Sequence, residues 1–289
     1  ATIRSRYGGV EGGGGGRFFF SSRRRHTSFT SDGVQTCALP ISADELHYFD
    51  AGKWPEYADG GGSSLELRDP TADNSQAQVW SATDESTQAT WGNYSIRGLG
   101  TQVASPSNWN ELVLGLLDSG TVLLDDISVV EDPDGAAIQL IQNGTFESDA
   151  LGGEAATWRI TGNHQGTVIV DPDNASNQVL QLVTTGATLQ LSNKAETTLK
   201  DGANFVTLSS SKQYEVSFRA RWVGGSNLVH SRLYFNRLPK IHQLSVPQTG
   251  GTPGTVNSTF AGNVGPTYSA FQHSPIVPSP TDTVTVTVE

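Results

Sequence analysis

Apolar and polar residues alternate along Tyr214-Glu215-Val216-Ser217-Phe218-Arg219-Ala220-Arg221-Trp222, with Tyr214, Val216, Phe218, Ala220 and Trp222 on one parity. A period of two puts these five on one face of a half-buried strand and is incompatible with a helical stripe. The cluster Gly224-Gly225-Ser226-Asn227 predicts a turn, after which residues 232–238 resume as a strand. Further strands are predicted over residues 112–117, 121–130, 167–170, 179–183 and 188–191. Turns are predicted at Asp-Pro-Asp-Gly (132–135), Asp-Pro-Asp-Asn (171–174) and Asp201-Gly202. Along Val122-Leu123-Leu124-Asp125-Asp126-Ile127-Ser128-Val129-Val130 the apolar parity shifts at the two aspartates, which predicts a β-bulge. No long stretch carries the i, i+3, i+4, i+7 spacing of a helix, and the residues around Leu199 leave room for one helical turn only.

Short strands with regular turns predict an all-β chain, an antiparallel β-sandwich or jelly roll. Its core is expected from Val168, Val170, Leu180, Leu182, Tyr214, Val216, Phe218, Trp222, Leu233 and Phe235.

The first 42 residues differ in character. They hold six arginines (Arg4, Arg6, Arg17, Arg23, Arg24, Arg25) against Glu11 and Asp32, which leaves twelve basic and twenty-seven acidic residues in the remainder. A basic arm with interleaved aromatics would normally suggest nucleic acid. Here Ser21-Ser22-Arg23-Arg24-Arg25-His26-Thr27, then Val34-Gln35-Thr36-Cys37-Ala38-Leu39-Pro40-Ile41-Ser42, resembles the conceptual translation of a short-read sequencing adapter, covering about residues 17–42. That resemblance implies a disordered leader foreign to the fold. With it set aside, no basic surface remains for nucleic acid. The one cysteine, Cys37, goes with it, so no disulfide or thiolate metal site is available to the rest. The chain contains no Met, as expected of a piece of a longer product. No apolar run is long enough to form a membrane-spanning helix.

Three stretches resemble known families. Trp54-Pro55, Ala58-Asp59-Gly60-Gly61-Gly62-Ser63-Ser64-Leu65-Glu66-Leu67, Asp69-Pro70, Asp73-Asn74-Ser75 and Trp80 resemble the closing segment of a bacterial lamin-tail domain, an immunoglobulin-like sandwich. Ile141-Gln142-Asn143-Gly144-Thr145-Phe146-Glu147, with Trp158, resembles the opening strand of a carbohydrate-binding-module jelly roll of the galactose-binding-like kind. Residues 214–222 are similar to that family's central strand, and Leu123-Leu124-Asp125-Asp126-Ile127-Ser128-Val129 to its closing strand. Gly251-Thr252-Pro253-Gly254 with Asn257-Ser258 resembles an exit segment, and residues 273–288 the start of another immunoglobulin-like repeat. The arrangement is similar to very large surface or secreted proteins of planctomycete-like bacteria.

The resemblances imply an organisation of 1–42 leader, 43–83 lamin-tail remnant, 84–135 closing strands of one jelly roll, 136–246 a second jelly roll, 247–272 linker and 273–289 a partial repeat. In the family, however, the closing and opening motifs belong to one module, and here the closing motif comes first. Two incomplete modules follow from that order unless both halves share one sheet.

The family's jelly rolls often hold a structural calcium on carboxylates, which implies Asp125, Asp126 and Glu147 as metal ligands, with no other cofactor. A sugar site needs apolar surface beside polar forks. Arg219 and Arg221, opposite in parity to the core residues, could line it with Arg232, Asn193 and His164. The competing expectation for that face is a solvated surface.

No G-x-S-x-G, phosphate loop or H-E-x-x-H spacing occurs, and adjacent Asp125 and Asp126 point to opposite faces of a regular strand. The chain therefore reads as non-enzymatic. Asn93, Asn143, Asn174 and Asn257 begin N-x-[ST] sequons, which the implied bacterial origin leaves unused. The expected function is carbohydrate binding or adhesion by an extracellular or cell-surface module, with a polysaccharide and neighbouring domains as partners. The competing readings are a structural spacer and an accessory domain of an enzyme outside this chain.

Overall fold

The computed structural model describes residues 2–3, 16–19, 45–49, 52–59, 61–101, 110–234, 236–248, 250–265 and 270–288. Apart from residues 17–19, the adapter-like block and Cys37 fall outside these, as do Trp109 and Phe235. The described residues form strands, with two short 3-10 turns at Glu56–Ala58 and Ala77–Val79. The all-β antiparallel expectation is met. The chain divides into two units: residues 57–64 with 83–251, and residues 1–56 with 65–82 and 252–289.

The 83–251 unit contains the sandwich. Its strands are β1 (Gly92–Leu99), β2 (Glu111–Leu116), β3 (Gly120–Glu131), β4 (Ile138–Gln139), β5 (Trp158–Thr161), β6 (His164–Asp171), β7 (Asn174–Thr184), β8 (Lys194–Thr198), β9 (Gln213–Gly225), β10 (Leu228–Leu233) and β11 (Arg237–Gln243). One sheet has the order β6-β7-β3-β9-β1, with β4 paired to β3, and the other has the order β5-β8-β2-β10-β11. All of these pairings are antiparallel.

Alternation builds the core from both sheets. Tyr214, Val216, Phe218, Ala220 and Trp222 of β9 pack with Val168, Leu180, Leu182, Val122 and Leu124 from the same sheet. Leu112, Leu114, Leu116, Ala195, Val229 and Leu233 face them from the second sheet. Val170 departs from its expected place and is 40% exposed. The β6–β7 register shifts between Val170 and Asp171, where the edge hairpin turns. Residues 188–191 are not a strand either. They lie in the loop between β7 and β8, with Leu189 83% and Leu191 78% exposed. The predicted strand 232–238 is the turn of a hairpin, because Asn236 takes a left-handed φ of 57° between β10 and β11. Leu199 follows β8 directly and is buried, with no helical turn around it.

The bulge is where the parity shift placed it. Ser217 pairs with Ser128 and Arg219 with Asp125, so Asp126 and Ile127 together stand opposite Phe218. Asp126 takes a φ of 49°. The extra residue lets Val122 and Leu124 before it and Ile127 and Val129 after it all reach the core. It also overrides the expectation that Asp125 and Asp126 face opposite ways, since both carboxylates reach Arg219, at 3.2 and 3.4 Å.

The order of motifs is resolved by topology. β3, which carries the closing motif, lies between β7 and β9 and pairs through Val130–Gln139 and Glu131–Ile138 with β4, just before the opening motif. The two halves share one sheet, so the segments before and after residue 135 make a single sandwich. Gly144 shows why the opening motif needs glycine. A Cβ there would lie 2.0 Å from the Ile127 carbonyl oxygen, while Ile127 N–H donates to Gly144 O at 2.9 Å. The opening motif therefore packs its backbone directly onto the bulge, and Phe146 fills the core beside it.

In the other unit, Leu65–Leu67 pairs with Trp80–Ala82. Glu66 between them is fully buried, and its carboxylate accepts from Ser258 Oγ (2.9 Å), Thr259 N (3.3 Å) and Thr252 Oγ1. Residues 252–259, a linker by composition, are thus tied to this hairpin by a buried charge that needs those donors.

Candidate functional site

Leu112, Leu114 and Leu116 point into the core, so Glu111, Val113 and Gly115 of β2 point out of the five-stranded sheet. On β10 the register sets His230 beside Gly115 and Arg232 beside Val113 on this outer face. Gly115 leaves a gap there that two imidazoles enter. A Cβ at residue 115 would lie 2.7 Å from His164 Nε2 and 2.9 Å from His230 Nε2.

His164 and His230 are 3% and 8% exposed, and neither Nε2 has a hydrogen-bond partner among the described residues. The tautomer of His164 follows from its neighbour. Asn163 Nδ2 donates to the carbonyl oxygens of Gly186 (2.7 Å) and Ala187 (3.2 Å), which can only accept. The Asn163 Oδ1 therefore faces His164 Nδ1, at 2.8 Å, and Nδ1 carries the proton. His164 Nε2 is left as a bare lone pair.

Burial pushes the His164 imidazole down to about 4. Burial, then the charge of Arg232 and the neighbouring His164, does the same to His230. Both rings are neutral at neutral pH. Alanine at Gly115 must push the two rings apart. Gly115→Ala is expected to cost roughly 1–3 kcal/mol, as overpacking does, and to shift the His164 and His230 ring signals in NMR while distant core signals stay in place.

Beside His230 opens a pocket of about 470 Å³, with Arg232, Asn236, Lys240 and Ile241 on its walls. Thr188 and Leu117 close one side. The loop is held there by Thr188, whose N–H donates to Leu117 O (2.9 Å) and whose Oγ1 donates to Leu116 O (2.6 Å). Lys240 Nζ donates to Ser95 O at 2.9 Å.

Arg232 makes no hydrogen bond or ion pair among the described residues, and burial lowers its affinity for its proton. The carboxylates of this face are committed elsewhere. Glu196 is engaged by Lys194 (2.6 Å) and Arg159 (3.1 Å), and Glu111 lies 3.7 Å from Arg159. Burial raises the Glu111 carboxyl, with the nearby Glu196 adding to it. Burial also works against Glu196, but its hydrogen bonds to Lys194 and Arg159 prevail and lower it.

Of the residues singled out by sequence, His164 and Arg232 reach this face. Asn193 stands behind them, its Oδ1 accepting from Asn163 N at 3.3 Å. Arg219 and Arg221 belong to the outer face of the six-stranded sheet. Arg219 is held by Asp125 and Asp126 and lies 4.6 Å over the Trp91 ring. Arg221 is buried and pairs with Asp173 at 2.9 Å. The five residues expected on one surface therefore fall on two separate faces of the sandwich. Trp222 is in the core, and Trp158 is largely buried, its Nε1 donating to Asn143 O.

The expected calcium ligands are also engaged. Asp125 Oδ2 accepts from Asn177 Nδ2 (3.0 Å) and Arg219 Nη1 (3.2 Å), and Glu147 Oε1 accepts from Gln178 N (3.1 Å). A guanidinium stands where a cation would need to approach Asp125 and Asp126, so this donor set does not fit calcium. Among the described residues no three His, Cys, Asp or Glu side chains are placed to hold a metal ion.

His230, Asn236 and Lys240 escaped the sequence reading. The signal was present in Val229-His230-Ser231-Arg232-Leu233, where His230 shares the parity of Arg232. Extending that strand back to residue 228 would have found it.

No protein-family model matches the chain, and neither the curated proteins nor the solved structures contain a match to it.

Proposed function

We propose that the sandwich is a non-catalytic carbohydrate-binding module of an exported surface protein, with its site in the pocket between the β10–β11 hairpin and the β7–β8 loop. One observation carries the reading. The pocket joins Arg232, a guanidinium unengaged among the described residues, and His230 Nε2, a buried imidazole nitrogen without a partner among them, to the exposed apolar side chain of Ile241. Sugars present C–H faces to apolar walls and hydroxyls to a few fixed polar groups, and pockets of this size and composition suit such ligands. Glycan recognition also needs no reacting group. Adhesion follows naturally where such a module sits among other domains of an exported protein.

The test is a glycan array probed with the full chain, followed by titration of the hits with wild type and Arg232→Ala. Wild type is expected to bind at least one polysaccharide class, and Arg232→Ala to weaken that binding about tenfold or more, the effect of losing a charged hydrogen-bonding group. Absence of binding to any glycan would leave the spacer reading in its place.

A further inference from the structure

Resting on the reading of this pocket as a sugar site, we infer that the sugar it takes is acidic, a uronic-acid residue whose carboxylate pairs with Arg232 and whose hydroxyl meets His230. A guanidinium partly withdrawn from water, as the half-buried Arg232 is, gains from meeting an anion or several acceptors. Among the described residues no acceptor bonds Arg232: the Glu196 charge acts on it from a distance, but Glu196 is bonded to Lys194 and Arg159, and Glu111 lies beside Arg159. Lys240 lines the pocket too, but its Nζ turns to Ser95 O of the other sheet, so Arg232 is the cation that faces the opening. The pocket thus presents a guanidinium that no carboxylate bonds among the described residues, on a chain whose net charge is −11.

Geometry selects the type of anion. A guanidinium offers a planar fork that a planar carboxylate matches in two parallel hydrogen bonds. Beside it, His230 Nε2 is buried and has no hydrogen-bond partner among the described residues. A sugar hydroxyl satisfies that nitrogen in either tautomer, because it both donates and accepts. Carboxylate next to hydroxyl is the polar pattern of a uronic acid, and Ile241 supplies apolar contact for the ring. The converging His164 and His230 nitrogens invite comparison with a metal clamp. The charge of Arg232 acts on His230 and opposes a cation there, and among the described residues no third ligand joins them.

The acidic surface elsewhere sharpens the prediction. Long-range attraction does not help a polyanion approach a chain of this net charge, so recognition must come from the pocket itself.

The experiment titrates the full chain at pH 7 with oligogalacturonate, with the same oligomer after its carboxyl groups are reduced to neutral alcohols, and with a sulfated galactan. Oligogalacturonate is expected to bind at least tenfold more tightly than the other two. Arg232→Gln is expected to abolish that difference with its circular dichroism spectrum unchanged. In the wild-type protein the Arg232 Nε–H resonance should move during the oligogalacturonate titration and not with the reduced oligomer, a readout independent of how the variant folds. Equal binding of the acidic and reduced oligomers, or preference for the sulfated one, would overturn the uronate inference and leave the sugar site standing. Binding of no glycan at all would overturn both. Uronate binding untouched by Arg232→Gln, with a stationary Arg232 resonance, would overturn the placement in this pocket.

Discussion

Acidification from pH 7 to pH 4 is expected to destabilise the sandwich by several kcal/mol. His164, His230 and His242 are all buried, and burial holds each imidazole near 4 in the folded chain against an ordinary value of 6.5. Between those values the unfolded chain binds protons that the folded chain refuses. Stability from this source is complete above about pH 6.5, falls as the pH drops, and levels off once the pH passes below about 4. Each histidine contributes a slope of up to about 1.4 kcal/mol per pH unit inside that window.

The causes differ between the three. His164 and His230 meet over Gly115 on the outer face, whereas His242 sits inside, its Nε2 2.8 Å from Ser231 Oγ and its ring edge-on to Phe218 at 4.9 Å. Two carboxyls act in the opposite sense. Burial raises Glu111 and Asp125, so the folded chain holds those protons more readily, and their protonation partly offsets the loss near the acid end. Urea denaturation between pH 7 and 4 checks the balance. The midpoint should fall steadily through pH 6 to 4.5, and His164→Gln should flatten the fall. A midpoint constant over that range would show that these rings are not buried and neutral.

Removing the Trp222 side chain is expected to cost roughly 3–5 kcal/mol, the usual cost of deleting a buried aromatic ring. The indole is fully buried at the end of the β9 alternation, and its Nε1 donates to Gly225 O at 3.0 Å. The ring also fits against Gly62, where a Cβ would come within 2.8 Å of it. Nothing in so close a packing can refill the space without moving backbone. Because small domains are stable by only about 5–15 kcal/mol, Trp222→Ala should leave the sandwich marginal. Urea denaturation should show a large drop in midpoint with little change in slope. Trp222→Phe, which keeps a ring in place, should lose less.

What the sequence made legible follows from how strongly each strand is marked. Residues 214–222 alternate without exception, and all five of their apolar side chains are in the core. The Asp125-Asp126 bulge could be read because the chain is apolar on both sides of it, which exposes the change of parity. The strand Lys194–Thr198, between β5 and β2, gave no such signal. Its inward residues are Ala195 and Thr197, too small or too polar to produce a hydrophobic period. Conversely, Thr188-Leu189-Gln190-Leu191 alternates and is a loop, because two leucines alone do not bring a strand to the core.

The site was legible only in part, for a geometric reason. Alternation reports whether a side chain points inward or outward but not which of two sheets it belongs to. Arg219, Arg221 and Arg232 all point outward, yet β9 and β10 lie in opposite sheets, so the three cannot share a surface. Aspartates hold the first two, while Arg232 makes no ion pair among the described residues. The His164–His230 meeting needed the pairing register and the missing side chain of Gly115, neither of which is a local property of the sequence.

The strands before residue 135 and those after it complete one another, with β3 held between β7 and β9. The most direct test compares the urea unfolding of residues 57–251 with that of residues 136–251. The longer piece should unfold in a single cooperative transition with a β-type circular dichroism spectrum. The shorter, which lacks β1, β2 and β3, should show no cooperative transition. A cooperative unfolding of residues 136–251 at the same midpoint would contradict the single shared sandwich.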